Sequence, residues 1–283
     1  MDKKIMFNRM RRSPQFVFGI VLVVFILILA LFAEQIAPCD PNKVNTAIRL
    51  KPPGFENEGI TYILGTDHQG RCILSRLIVG SSVSIFISIV STVCVTFLGT
   101  FLGVLAGYKG GIIDNMIMRM TEVTMAVPTL TLGIVIVAVF GPSVPNLIII
   151  MVINTWINFA RIARNEVMII KNKEFVQASK VLGAGSFNIM WKQIFPNITT
   201  PLIIQMSATF GSVILIESSL SYLYLGVQAP DPSWGNMIAD CRNFLAVAPW
   251  TVLAPGVALM IAVLGFNLLG DGLRDVLDPK QHR

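Results

Sequence analysis

Few residues in this 283-residue chain have the types and spacing that catalysis needs. Its two histidines, His68 and His282, are far apart and fall on opposite sides of the membrane in the topology predicted below. That separation argues against a catalytic histidine and against a multi-histidine metal site. The phosphate-binding pattern GxxxxGK[ST] is absent, so the chain has no loop of that kind to hold ATP. We expect no enzymatic activity, metal site or cofactor in the chain itself.

Glu217 is the most unusual charged residue, because it directly follows the apolar residues 213–216. A carboxylate at membrane depth is costly in free energy and is expected to face protein or water. Together with the hydroxyls of Ser218 and Ser221, it could form a gate on a translocation path. A structural carboxylate, bonded to hydroxyl or backbone groups where the chain turns, is the alternative interpretation.

The four cysteines show no metal-ligand spacing. In the predicted topology Cys39, Cys72 and Cys241 face outward, whereas Cys94 lies in a membrane span. The sequence is compatible with an outer disulfide and with free thiols, and it does not pair the cysteines.

The composition is that of an integral membrane protein. Hydrophobic residues make up 54% of the chain and charged residues 13%, and the mean hydropathy is +0.70. The net charge of +6 does not indicate nucleic-acid binding, because the basic residues flank apolar runs and form no aromatic-and-basic motif. In that position they orient a protein in a lipid membrane.

Six apolar segments approach the roughly 20 residues that a spanning helix needs. Basic residues concentrate near both termini and between the fourth and fifth segments, which the positive-inside rule places in the cytoplasm. The predicted fold is therefore an all-α polytopic membrane protein with six transmembrane helices and both termini in the cytoplasm. The predicted spans are residues 16–33, 84–106, 116–140, 144–159, 201–225 and 249–269.

These spans divide the chain into segments with different surroundings. A basic interfacial helix on the cytoplasmic surface is expected before the first span, and a long extracytoplasmic loop after it. The remaining five spans form a core that contains one cytoplasmic insertion. The predicted segments are the interfacial helix 1–15, the loop 34–79, the core 80–279 with its insertion 174–197, and a cytoplasmic tail 280–283.

The insertion, residues 174–197, is called the coupling segment below. Its sequence predicts a short helix from Glu174 to Leu182, which residues 183–185 (Gly-Ala-Gly) should end. A second short helix from Ser186 to about residue 194 is predicted, and Pro196 should close the segment before the next span. Such a helix-turn-helix against the membrane would pass motion from a soluble partner into the bilayer.

This segment resembles the EAA loop of ABC importer permeases. The resemblance lies in Ala178, Gly183 and Pro196, which keep the spacing of that loop, while the chain departs from the pattern at Gln177, Ser179, Gln193 and Phe195. It implies that the coupling segment contacts an ATPase. The residues expected to do so are Glu174, Gln177, Ala178, Lys180, Leu182, Gly183 and Ala184.

Further motifs resemble the second permease of dipeptide, oligopeptide and nickel importers. In the first of these motifs, which begins at residue 65, Cys72 and Ser82 replace the usual aspartate and arginine. The resemblance covers residues 16–279. The matching stretches are 65–80, 106–111, 217–235 and 266–279.

The resemblance implies one half of the translocation channel of an ATP-driven importer in a bacterial inner or plasma membrane. Its partners would be a homologous permease, two cytoplasmic subunits that hold ATP and Mg²⁺, and an extracytoplasmic binding protein. Di- or oligopeptides are the expected cargo, and nickel or a metal–metallophore complex is the alternative. Docking of the binding protein is expected at Asp67, Arg71, Trp234 and Asp240.

A secondary transporter is a less favoured alternative. It would show an internal repeat and interrupted or charged spans, but we find no convincing repeat. Glycines at positions 99, 103 and 107 instead predict close packing of the second span against another helix or a partner subunit.

Overall fold

The computed structural model describes residues 10, 11 and 13–277. Most of the predicted interfacial helix 1–15 and the whole tail 280–283 lie outside the described residues.

Helices dominate the described chain, and the predicted all-α class is confirmed. A two-stranded antiparallel sheet, β1 (Phe55–Asn57) with β2 (Ile60–Tyr62), is a small addition to the segment after the first span. The helices are α1 (Pro14–Leu31), α2 (Ala33–Ile36), α3 (Ile73–Lys109), α4 (Gly111–Ala126), α5 (Thr129–Phe140), α6 (Val144–Ile170), α7 (Glu174–Val181), α8 (Ser186–Asn188), α9 (Phe195–Tyr222), α10 (Trp234–Cys241) and α11 (Trp250–Leu277), with 3-10 turns at Thr46–Ile48 and Arg242–Phe244 and a π-helix at Ile189–Ile194.

Five helical stretches among the described residues are long and apolar enough to cross a membrane: α1, α3, α6, α11 and the stretch from α8 to α9. The predicted third span, 116–140, is instead two helices, α4 and α5, bent by 87°. The bend falls at Val127, which has extended backbone angles, and Pro128. A proline disfavours helical angles in the residue before it, which explains the break. Counting the bent pair as one span gives six.

Helix α3 starts much earlier than the predicted second span. It begins at Ile73, so the last residues of the predicted outer loop 34–79 are helical; where the membrane begins along this helix stays a prediction. The polar residues Ser75 and Arg76 in its first turn are both buried. The predicted span begins later because a run of apolar residues excludes such polar residues. The helix itself includes them, since their backbone groups make the same hydrogen bonds.

The second half of the coupling segment also differs from its prediction. Residues Ser186–Tyr222 form one helical stretch, so Pro196 does not close the segment but lies in the first turn of α9. A π-helix, Ile189–Ile194, directly precedes it. A proline clashes with the carbonyl one turn back in a regular helix, and a wider π-turn at that place relieves the clash. The coupling segment is therefore continuous with a spanning helix.

The glycines of α3 pack against α6, as their spacing predicts. A Cβ at Gly107 would lie 2.7 Å from the carbonyl oxygen of Arg164, and one at Gly103 would collide with the carbonyl oxygen of Ala160. Helix α1 approaches α11 in the same way, because a Cβ at Gly272 would lie 2.5 Å from the Cα of Phe16. Small residues thus allow close contact at both helix pairs.

We expect Gly103→Ala to destabilise the bundle by about 1–3 kcal/mol, because the added methyl group overpacks the α3–α6 contact. Gly256→Ala is the matched control, since a Cβ there meets no described atom within 4 Å. In that open helical position, alanine should be neutral or stabilise by up to about 1 kcal/mol. Thermal unfolding in detergent compares the two variants, and equal melting temperatures would contradict the packing argument.

Candidate functional site: the coupling segment and the outer mouth

Helix α7 is anchored to the bundle by one apolar residue. Val176 is fully buried and packs with residues of α6 and of the π-helix, including Val167, Ile170 and Ile189. The predicted ATPase contacts on the other faces of α7 are exposed: Glu174, Gln177, Ala178 and Lys180. The helix therefore packs on its own chain through Val176 and leaves these four residues exposed.

The turn after α7 is open and apolar. Gly183 has a φ of +79°, a left-handed conformation that favours glycine, and a Cβ there would meet no described atom within 4 Å. The side chains beside it are almost fully exposed, at 87% for Val181 and 86% for Leu182, and Phe187 is 73% exposed. Ala184 is half-buried. Exposed apolar side chains gathered in this way are typical of a protein interaction site.

Polar contacts fix the coupling segment to the adjacent C-terminal ends of α3 and α6. Lys171 Nζ donates to the carbonyl oxygen of Gly107 at 2.7 Å, and Gln177 Nε2 donates to the carbonyl oxygen of Lys171 at 2.9 Å. The Lys180 ammonium lies 5.5 Å from the centre of the Tyr108 ring. Lys171 and Tyr108 were not among the predicted site residues. In the sequence, Tyr108 precedes the turn at Gly110 and Gly111, and Lys171 precedes the coupling segment.

A paired arginine holds α4 against α6 near the same end of the bundle. Arg164 and Asp114 form a bidentate pair, with Nη2 at 2.6 Å from Oδ2. The sequence does not reveal this pair, because the two residues are fifty positions apart.

Near the C-terminal end of α9, Glu217 is fully buried. Ser221 Oγ donates to its Oε1 at 2.9 Å and Ser218 Oγ to its Oε2 at 3.2 Å, while Ser84 of α3 supplies a third hydroxyl partner. Its recorded partners among the described residues are all hydroxyls. This geometry joins α9 to α3 and matches the structural alternative for Glu217, and its predicted gate role stays a prediction.

We expect Glu217→Leu to lower stability by about 1–3 kcal/mol, because it leaves buried hydroxyls without an acceptor. Glu217→Gln keeps an acceptor oxygen and should remain within about 1 kcal/mol of the parent. Melting temperatures in detergent measure both. The prediction is that an acceptor oxygen at position 217 is enough for stability. It would be contradicted if the Gln variant were as unstable as the Leu variant, because the negative charge itself would then be required.

Charged residues form a largely buried network at the end of the bundle away from the coupling segment, called the outer cluster because the predicted topology places it outside: Asp67, Arg71, Arg76 and Asp240. Arg71 Nε donates to Asp67 Oδ2 at 2.6 Å, and Arg71 Nη2 lies 3.3 Å from Asp240 Oδ2 on α10. Arg76, which is 2% exposed, lies 3.8 Å from Asp67 Oδ2 through Nε. The cluster thus ties the loop before α3 to α10.

Arg76 also reaches two other outer segments. Its Nη1 donates to the carbonyl oxygens of Pro41 at 3.2 Å and Pro230 at 3.5 Å. It was not a predicted site residue, and its only sequence signal is its place in a matching motif.

Burial lowers the pKa of His68 even though Asp67 and Asp240 act to raise it. Its imidazole stacks on Phe244 with 5.8 Å between ring centres. The ring is therefore neutral near neutral pH and acts here as a packing group.

Comparison with known proteins decides the family. A family model described as "Binding-protein-dependent transport system inner membrane component" matches residues 99–283. A second, "N-terminal TM domain of oligopeptide transport permease C", matches residues 4–53. This chain belongs to the binding-protein-dependent permease family.

Curated relatives of this permease extend over nearly its whole length. It is 42% identical over 271 residues to the dipeptide transport system permease protein DppC of Escherichia coli K12, covering 95% of this chain and 90% of the relative. It is 38% identical over 272 residues to the oligopeptide transport system permease protein OppC of Bacillus subtilis, covering 96% and 88%.

A solved structure shares the fold of this permease. The MetNI methionine ABC transporter, described in inward-facing conformations, superposes with a TM-score of 0.57 at 18% identity, over 71% of this chain and 96% of the other. The permease is a multi-pass inner-membrane protein and a channel subunit, not a catalytic one.

The predicted docking residues of this permease are less accessible than expected. Asp67, Arg71 and Trp234 are 4%, 5% and 3% exposed, and the Trp234 indole donates to the carbonyl oxygen of Leu77 at 3.1 Å. Only Asp240 is partly exposed. These side chains hold the outer surface together, whereas the predicted ATPase contacts gather on one exposed segment.

Proposed function

We propose that this permease forms half of the translocation channel of an importer for di- or oligopeptides. Supporting this cargo, relatives at about 40% identity are named for dipeptide, di/tripeptide or oligopeptide transport. Nickel or a metal–metallophore complex is the alternative, and the named relatives favour peptides.

The channel would be completed by a second, homologous permease. Two cytoplasmic subunits would hold ATP and Mg²⁺ and hydrolyse the nucleotide, and an extracytoplasmic binding protein would deliver the peptide. With both termini in the cytoplasm, the binding protein would dock on the outer surface that the outer cluster fixes.

The observation that carries this proposal is the exposed apolar turn of the coupling segment. Ala178, Leu182 and Gly183 would enter a groove on the ATPase, with Glu174 and Lys180 at its rim. Lacking a side chain, Gly183 would let the two backbones approach closely. Neighbouring Val181 and Phe187 are 87% and 73% exposed and would be buried there.

Motion would then reach the outer mouth through one helical stretch. Residues Ser186–Tyr222 run without interruption, which at 1.5 Å per residue is roughly 55 Å. Glu217 and Ser221 lie near its outer end, where the chain turns towards α10. Displacement of the coupling segment by the ATPases would shift this stretch and open or close the mouth.

ATP hydrolysis in nanodiscs tests the proposal. The permease is co-expressed with its neighbouring permease and ATPases, and the binding protein is added empty, loaded with a dipeptide or loaded with Ni²⁺. We expect stimulation by the peptide-loaded protein. Stimulation only with nickel would overturn the cargo, and absence of any ATPase from the purified complex would overturn the importer.

A further inference from the structure

We propose that Cys39 and Cys72 are a disulfide modification site on the outer surface, joined by thiol–disulfide exchange, while Cys94 and Cys241 remain thiols. Formation of this disulfide in cells rests on the proposed function, in which Cys39 and Cys72 face the extracytoplasmic side. The pairing itself rests on the structure of the chain.

The two cysteines meet where the segment after α1 crosses the start of α3. Cys39 packs against a small apolar cluster that contains Cys72, Ile48 and Tyr62. Ser75, in the first turn of α3, fixes the position of Cys39: its Oγ accepts from the Cys39 backbone N–H at 3.1 Å and lies 3.2 Å from Cys39 Sγ. Ser75 lies one helical turn after Cys72, so its contact with Cys39 Sγ brings the Cys39 thiol to the same first turn of α3 that Cys72 precedes. The two cysteines are therefore neighbours in one small cluster before any bond forms.

The other two cysteines have different surroundings. Cys94 lies within α3, 22 residues beyond Cys72, which directly precedes that helix, so the two are roughly 33 Å apart. Cys241 is buried at the end of α10, with its Sγ 3.6 Å from His68 Nδ1. Neither is recorded among the groups around Cys39. The geometry thus selects one pair.

The reaction needs an oxidant, which we name as a disulfide such as oxidised glutathione or an extracytoplasmic thiol oxidase. Cys39, the more exposed of the pair, attacks as a thiolate and forms a mixed disulfide, releasing one thiol of the oxidant. Cys72 then attacks Cys39 Sγ and expels the second. The two cysteines lose two electrons and two protons, and the oxidant is reduced to two thiols.

The rate of bond formation should depend on pH in a defined direction. Burial raises the pKa of Cys39 to about 11, while its contact with Ser75 lowers it and Cys72 and Asp40 raise it further. Tyr62 faces the same cluster, and burial raises its pKa as well. Below the thiol pKa, the thiolate fraction of Cys39 grows about tenfold per pH unit. Formation with oxidised glutathione should therefore accelerate between pH 7 and pH 9, by roughly a hundredfold if attack by Cys39 is rate-limiting.

The full chain in detergent, treated with oxidised glutathione, tests the pairing. After alkylation of free thiols with N-ethylmaleimide, non-reducing peptide mapping should show the Cys39 peptide joined to the Cys72 peptide, lighter by two hydrogen atoms than their sum. The joined species should disappear in Cys39→Ser and persist in the matched control Cys241→Ser. The oxidised parent should also melt at a higher temperature than the reduced one, a shift that Cys39→Ser should lack. Linkage to Cys241, or two alkylated thiols after oxidation, would overturn the proposal.

Alkylation in intact cells before lysis tests the modification in its setting. Recovery of the same joined peptides is the expected result. A bond that forms in detergent but not in cells overturns the cellular modification. Neither result affects the ATPase-stimulation experiment, so failure of the importer assignment is observed separately.

Discussion

Leu182→Glu is expected to abolish the stimulation of ATP hydrolysis by the peptide-loaded binding protein. The Leu182 side chain is 86% exposed, so its own chain should fold normally with the substitution. In the proposed complex it enters an apolar groove, where a carboxylate would be buried without a partner. A central contact of this kind is worth about 2 kcal/mol or more, which is roughly a thirtyfold loss in affinity for the ATPase.

Leu182→Met is the matched control, because methionine keeps the apolar contact at similar volume. It should retain stimulated hydrolysis, and both variants should reach the membrane in equal amounts with equal melting temperatures. Gly183→Arg is a weaker test, because its φ of +79° strains any side chain whether or not an ATPase binds. Normal stimulation in Leu182→Glu would contradict the proposed coupling site.

The sequence predicted well those features that depend on local pattern. Glycines at 99, 103 and 107 predicted close packing against another helix or a partner subunit, because close helix approach requires small residues at that spacing; the structure shows that the helix is α6. Helix α7 and the glycine at its end followed from helix propensity and from the need for a left-handed residue at 183. These features are set within a few residues of chain, so a single sequence reveals them.

Features that depend on contacts between distant segments were missed or misplaced. The sequence predicts that Pro196 closes the coupling segment. The structure differs, because the π-helix before Pro196 lets the helix continue into α9. Docking at Trp234 stays a prediction, but the hydrogen bond from its indole to the carbonyl oxygen of Leu77, 157 positions away, was not predicted. Arg76 could not be given a role, because its partners come from three separate outer segments. Hydropathy and motif spacing carry no information on such pairings.

The outer cluster gives the second large expected effect. Arg71→Met should destabilise the outer part of the permease by up to about 3–5 kcal/mol, because it removes the nearer partner of Asp67 in a buried ion pair and leaves only Arg76, at 3.8 Å, to compensate that carboxylate. Both side chains of this pair are 6% exposed, so water cannot replace the lost contact. Thermal unfolding followed by tryptophan fluorescence measures the effect, and Trp234 and Trp250 report on this end of the bundle.

Arg119→Met is the matched control, because it breaks an ion pair of similar length in solvent or headgroup surroundings. Arg119 Nη1 lies 2.8 Å from Glu122 Oε2, but these side chains are 81% and 56% exposed. Exposed pairs contribute no more than about 1 kcal/mol, so this variant should melt close to the parent. If the two variants lose equal stability, burial of the Arg71–Asp67 pair is not what makes it important. If Arg71→Met melts early and also loses stimulation by the binding protein, the outer cluster both holds and presents the docking surface.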